Sequence, residues 1–370
     1  MLLQRGRGVA RSCMHCMLKR QHLKLLDCES NEYIFRSTNC GLQLVVPGDT
    51  MLKKIAHIVL AAGCMASAMA QDYPQRPLRI IVPYAPGGTT DIVARVISEP
   101  LGKILGQPVV VDNKAGAGGA VGTAELARSA PDGYTLGIGT VSTLVIIPAV
   151  TPRPTYTQAD FAPITNIAAT PNIIAVTASF PAKNGTDFIA ELKAHPGKYS
   201  FASSGLASIN HMMGESFQAL SGTSLIHVPY RGSASAITDV IAGQVPILVD
   251  QLPSSKAFID DGKLRLMGVI APRRVPAYPD VPTFEELGLK GFTDQAWYGL
   301  IAPEKVPASV LARLENAMRQ VLARPDVRGR LEKAGATPVG NTAAEYRTQL
   351  SAELAAMKKL VATRNISLKE

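Results

Sequence analysis

The residues able to do chemistry sit in short turns, each placed where an apolar run gives way to an amphipathic one. Tyr84-Ala85-Pro86-Gly87-Gly88-Thr89-Thr90-Asp91 follows the run Leu78–Val82. Its glycines let backbone N–H groups approach an anion, and a helix starting there adds the positive end of its dipole. Gly116-Ala117-Gly118-Gly119-Ala120-Val121-Gly122 is similar to a dinucleotide-binding G-x-G-x-x-G, but Val121 stands where the third glycine belongs, which argues against a cofactor. Ser203-Ser204-Gly205-Leu206-Ala207-Ser208 offers hydroxyls and amides to a carboxylate. Pro229-Tyr230-Arg231-Gly232 brings a guanidinium that can pair with one. Asp250 follows the run Val245–Val249, as an acceptor for a ligand amine or hydroxyl or as a loop cap.

Catalytic machinery is thin by comparison. The serine turn lacks G-x-S-x-G. His211 and His227 are the bases that would have to serve Ser204 or Ser208, so a serine-hydrolase-like enzyme in the same cleft is the alternative reading. No Walker lysine, paired-carboxylate motif or histidine cluster accompanies the turns. All five cysteines lie in the first 64 residues, which removes thiol catalysis and cysteine metal sites from the rest of the chain. Amides and hydroxyls without acid–base machinery suit binding: no catalytic residue, no cofactor and no metal are expected.

The elements that position these turns follow from hydrophobic periodicity. Strands are expected at Leu78–Val82, Val109–Val111, Tyr134–Gly139, Ile173–Val176, Tyr199–Ala202, Leu225–Val228, Val245–Val249 and Leu264–Val269. Between them run helices: one N-capped by Asp91, kinked or interrupted at Pro100 and stopped by Gly106, then Thr123–Ser129, Thr186–Lys193, His211–Leu220 and Ala234–Ala242. This alternation implies α/β units around a mostly parallel sheet covered on both faces. Beyond Trp297–Pro303 the chain turns helical, with a stripe of Val310, Leu311, Leu314, Met318, Val321 and Leu322, a capping box Thr342-x-x-Glu345, and no strands of its own.

Of the 370 residues and the formal charge of +9, much belongs to the N-terminus. Residues 1–70 carry nine Lys/Arg and four Asp/Glu, which leaves the remainder at +4. With no run of like charges, nucleic acid is not an expected partner. Met51-Leu52-Lys53-Lys54, the apolar stretch to Met65 and Ala68-x-Ala70 have the form of a signal peptide cleaved after Ala70. Met51 is then the expected start and residues 1–50 a mis-annotated leader. Cys64, preceded by Leu60-Ala61-Ala62-Gly63, is a minor candidate for lipidation.

Taken together, the motifs resemble those of the Bug family, the extracytoplasmic solute receptors of tripartite tricarboxylate transporters. The resemblance runs through Val82-Pro83-Tyr84-Ala85-Pro86-Gly87-Gly88, Val111-Asp112-Asn113-Lys114-Ala115-Gly116, Ala130-Pro131-Asp132-Gly133-Tyr134, Ser203-Ser204-Gly205, His227-Val228-Pro229-Tyr230-Arg231-Gly232 and Trp297-Tyr298-Gly299-Leu300-Ile301-Ala302-Pro303, over about residues 73–365. It implies an α/β, two-lobed periplasmic binding protein of type II-like crossover, with lobe 1 at 71–172 plus 298–370 and lobe 2 at 173–297. It further implies a small carboxylate ligand held by Tyr84, Gly87, Gly88, Thr90, Ser142 and Thr143 from the first lobe. Ser203, Ser204, Gly205 and Ser208 would hold it from the second, with Asp250 tuning ligand choice. The implied partners are membrane transporter subunits, or a sensor partner if the chain reports its ligand, and the implied state is a periplasmic monomer. Leu206 and Ala207 depart from the family's more polar residues and favour a carboxylate with an apolar body.

Overall fold

The structure, a computed structural model, describes residues 34–38, 41–45 and 73–364, the first two stretches as backbone only. β1 (Ile34–Thr38) and β2 (Gly41–Val45) form an antiparallel hairpin, Ile34 opposite Val45, in a unit ending at Gln71. The expected signal peptide 51–70, Cys64 and the rest of the leader lie outside the described residues. A second unit, Asp72–Glu370, holds everything that follows.

β3 (Leu78–Val82) pairs in parallel with β4 (Val109–Asn113) on one side and β5 (Thr135–Thr140) on the other. α1 (Thr89–Leu105) and α2 (Ala120–Ala127) make the crossovers. The expected N-cap of α1 needs correction, and so does an interruption at Pro100. Its N-cap is Gly88, and Asp91 lies inside the first turn, where its carboxylate accepts from Gly87 N–H at 3.0 Å and Arg95 Nε at 2.8 Å. Pro100 does not interrupt the helix, which runs on to a left-handed Gly106. Val93, Val96, Ile97 and Leu101 are buried, and this packing outweighs the one backbone hydrogen bond that proline removes.

β6 is 17 residues long, Phe161–Thr177, where only Ile173–Val176 carries a strand signal in the sequence. Along Phe161–Pro171 it pairs with β11 (Gln295–Pro303), and along Asn172–Thr177 with β9 (Ile247–Gln251) and β10 (Leu264–Ile270), always antiparallel. β7 (Ser200–Ser203) and β8 (Ile226–Pro229) extend the β9 side in parallel. The ten-stranded sheet runs β4-β3-β5-β11-β6-β9-β7-β8, with β10 and β12 (Thr337–Pro338) also on β6. Its flanks are parallel but its centre is antiparallel, so "mostly parallel" is corrected. The cause is connectivity: the chain leaves the first half of the sheet in β6 and returns to it, reversed, in β11. The two-residue strand β12 overturns the expectation that the chain beyond Pro303 has no strand of its own.

The remaining helices are α3 (Ile147–Val150), α4 (Gly185–Ala194), α5 (Ile209–Ser221), α6 (Ser233–Ile241), α7 (Leu252–Asp260), α8 (Ala308–Ala323), α9 (Pro325–Lys333) and α10 (Ala343–Arg364). α8 buries Leu314, Met318, Val321 and Leu322 of the expected stripe. The capping box before α10 forms as expected: Thr342 N–H donates to Glu345 Oε2 at 2.8 Å and Glu345 N–H to Thr342 Oγ1 at 3.2 Å. None of the described helices is long and apolar enough to cross a membrane.

Candidate functional site

In this sheet, the strand-to-helix turns after β3, β5, β7, β8 and β9 point toward one place, while the Gly116–Gly122 turn does not line it. α1 starts after Gly88, a single π-helical turn at Ser142 after Val141, α5 at Ile209, α6 at Ser233 and α7 at Leu252. Gly88, Thr89, Thr90, Val141, Ser142, Ile209, Asn210, Ser233 and Gln251 all line one small cavity, closed behind by Ala296, Trp297 and Tyr298 of β11. Gly88, Val141, Gly232 and Gln251 provide no side-chain cap; only Ser208 does, accepting from His211 N–H at 3.2 Å. Uncapped first turns leave N–H groups seeking an acceptor, and each helix end carries about half a positive charge. None of the lining residues is Lys, Arg or His. The site therefore attracts an anion through dipoles, with no fixed cation.

The loops from the two halves of the sheet meet tightly, leaving a space of about 20 Å³, room for one water-sized body. Ile209 N–H donates to Ser142 Oγ at 2.9 Å, and Ser254 N–H to Thr89 Oγ1 at 3.2 Å. Gly118 packs on the Leu206 carbonyl, and Gly87 lies beside Ala234. Tyr84 Oη donates to Gly118 O at 2.9 Å, which braces the first glycine turn against the second.

Asp250 organises the floor. It is fully buried, and four donors converge on it: Asn210 Nδ2 at 3.0 Å, Ser233 Oγ at 2.5 Å, Ser254 Oγ at 2.6 Å and Ser255 Oγ at 2.8 Å. Burial pushes its carboxyl above the ordinary range, and the three serine hydroxyls pull against that. Asn210 Oδ1 in turn accepts from Gln251 Nε2 at 2.6 Å and Ser204 Oγ at 3.2 Å.

Of the residues expected at the site, Tyr84, Gly88, Thr90, Ser142 and Ser204 line the cavity. Gly87, Thr143, Ser203, Gly205, Ser208 and Asp250 stand around it without lining it. Thr143 is tied to Thr140, Ser203 to His227, Ser208 to Gly205 O, and Asp250 lies beneath Ser233 and Asn210. Arg231 is exposed and is not among the lining residues. Thr89, Asn210, Ser233, Gln251, Trp297 and Tyr298 were not singled out in the sequence as ligand contacts. Their one available signal was position, since Thr89, Asn210 and Ser233 lie in first helical turns that follow strand-end loops and Gln251 is a helix N-cap.

A hydrolase arrangement does not form. His227 Nε2 lies 2.7 Å from Ser203 Oγ, a fully buried serine, and not on Ser204 or Ser208. His227 stacks on His211 with ring centroids 4.0 Å apart, and no carboxylate orients it. Burial, aided by His211, lowers the His227 pKa from 6.5 to about 4. The unfolded chain thus binds a proton there more readily than the folded one. Stability is full above pH 6.5, falls as pH drops toward 4 and levels off below, by about 1–3 kcal/mol. Melting temperatures measured across that window should drop in the native protein, and His227→Gln should flatten the slope.

Comparison with known proteins adds the context. Residues 93–366 match a family described as the tripartite tricarboxylate transporter family receptor. The structure of periplasmic binding protein BugD is 32% identical with a TM-score of 0.77, covering 80% of this chain and 99% of that one. R. palustris Rpa4515, solved with adipate, is 31% identical with a TM-score of 0.77, covering 80% and 99%. MatC (Rpa3494) from Rhodopseudomonas palustris, with bound malate, is 31% identical with a TM-score of 0.74, covering 78% and 100%. The two-lobed α/β fold expected from the sequence is the fold of these neighbours.

Proposed function

We propose that this chain, which belongs to the tripartite tricarboxylate transporter family of receptors, captures a small dicarboxylate between its lobes and delivers it to membrane subunits of a transporter. It is a periplasmic carboxylate receptor and not an enzyme. One observation carries the ligand chemistry: five helix starts face a cavity with no basic side chain. Such a site holds carboxylates through amides and hydroxyls, as the adipate and malate of its relatives fit.

The lobe boundaries are taken at 172, where β6 changes pairing partner, and at 297, near the start of the returning strand β11. Separation of the lobes about these strands admits the ligand, and closure excludes water. In this reading Tyr84, Gly88, Thr90, Ser142 and Ser204 touch the ligand directly or through water. Gly87, Thr143, Ser203, Gly205 and Ser208 hold the loops in shape, and Asp250 orients Ser233 and Asn210. Export by a signal peptide cleaved after Ala70 and action as a monomer complete the proposal.

Calorimetry on refolded, ligand-free protein tests it. Among C4–C6 dicarboxylates at least one should bind with micromolar affinity or tighter. A protein that binds no mono-, di- or tricarboxylate ends the reading. Ser142→Ala removes the acceptor for Ile209 N–H and should weaken the best ligand about 3- to 10-fold, near 1 kcal/mol.

A further inference from the structure

The first glycine turn is held in shape by a negative charge. Asp91 is only 3% exposed and lies in the first turn of α1, whose neighbours Gly88, Thr89 and Thr90 line the carboxylate cavity. Its Oδ2 accepts from Gly87 N–H at 3.0 Å and from Arg95 Nε at 2.8 Å. Its Oδ1 accepts at 3.0 Å from Asn113 Nδ2, which also donates to Tyr84 O at 3.0 Å. The carboxylate thus fastens the start of the turn through Asn113 and its middle through Gly87. Gly87 N–H is consumed in this way, and the amides that follow it in the first helical turn are left for a ligand. Burial raises the Asp91 carboxyl, but the bonds from Arg95, Gly87 and Asn113 outweigh it and hold the group below its ordinary value, so it is ionised at neutral pH.

An ionised carboxylate at this place works against capture of an anion. It sits on the positive end of the α1 dipole, which the ligand would use, and burial leaves its charge weakly screened. Arg95 supplies the opposite charge from one turn further along the helix. Its side chain is about half exposed and is not among the cavity-lining residues. It also donates to Asn113 Oδ1 at 3.4 Å, so it touches both arms of the clamp.

We propose that Arg95 is a positioning residue for anion capture: it neutralises Asp91, so that Asp91 shapes the glycine turn without repelling the carboxylate the turn binds. The inference rests on the proposed function and deepens it. The lining holds no cation, and the charge balance of the site is set one helical turn behind it.

Succinate, malate and adipate serve as probes, titrated by calorimetry into refolded, ligand-free protein, and the tightest is carried to the variants. Arg95→Gln should weaken it about ten-fold or more, whereas Arg95→Lys, which keeps a cation four residues after Asp91, should stay within about three-fold of wild type. Asp91→Asn added to Arg95→Gln should recover most of the lost affinity, even though the new amide loses the bond from Asn113 Nδ2. A role confined to packing predicts another order: Gln and Lys alike at 95, and the double variant weaker than the single one. Melting temperatures check that the variants fold, and the Gln–Lys comparison at the exposed position 95 decides by itself if the double variant does not. Wild-type affinity in Arg95→Gln, or equal losses in the Gln and Lys variants, would overturn the proposal while leaving the proposed function intact. Failure of all three probes to bind the wild type would instead strike the proposed function itself, and this inference with it.

Discussion

Gly118→Ala is expected to reduce ligand affinity at least 100-fold while leaving the protein folded. Gly118 has φ +61°, and a Cβ there would stand 2.2 Å from the backbone oxygen of Leu206 and 3.7 Å from Ser208 N. A backbone carbonyl cannot rotate away as a flexible side chain does, so the two loops must part. The clash arises only between turns from opposite halves of the sheet, so the open form tolerates the methyl. The intrinsic cost of a left-handed alanine is about 1 kcal/mol, a few degrees in melting temperature. Calorimetry reads the lost affinity, and small-angle scattering should show a form that stays extended at saturating ligand. Wild-type affinity in this variant would show that capture does not need the Gly118–Leu206 contact.

Asp250→Asn is expected to cost more stability than any other single polar substitution proposed here, about 2–4 kcal/mol. Four donors converge on the two oxygens of this buried carboxylate. Whichever way the amide is placed, its NH2 group faces two of them: either Asn210 Nδ2 with Ser233, which sets one NH2 against another, or Ser254 with Ser255, whose hydroxyls must turn from donating to accepting. Ser233 and Asn210, which line the cavity, lose the anchor that orients them. Ligand affinity should fall at least 30-fold as a result. Urea denaturation and calorimetry measure the two effects, and a midpoint equal to wild type would remove Asp250 from its organising role.

What was legible in the sequence was local. Glycine and serine turns after short apolar runs identified the right ends of β3, β7 and β8, because tight turns have a strong chemical signature. Tyr84, Gly88, Thr90, Ser142 and Ser204 came with them, on the strength of a family resemblance. What was not legible depends on distant parts of the chain. Thr165, Asn166 and Asn172 interrupt the hydrophobic pattern of β6, yet all are buried, because polar partners arrive from Asn341, Gln349, Asp294 and Gln251. Asn210 and Gln251 read as ordinary helix-start residues until β6 and β9 bring them together beneath the cavity. Asp91 reads as a cap, but Gly88 takes that role because the Asp91 carboxylate is spent on Gly87, Arg95 and Asn113.

The place of β11 between β5 and β6 bears on how the protein comes to be folded at all. β5 and β6 are neighbours in sequence, but the strand that joins them in the sheet comes from residues 295–303, after the whole stretch 178–294 has been made. The centre of the sheet is thus built from contacts of high sequence separation, the kind that form slowly. A nascent chain cannot complete this core before Pro303 has left the ribosome. For a chain exported unfolded, as the proposed signal peptide implies, late delivery of one strand keeps it threadable for most of its synthesis and leaves folding to finish on the far side.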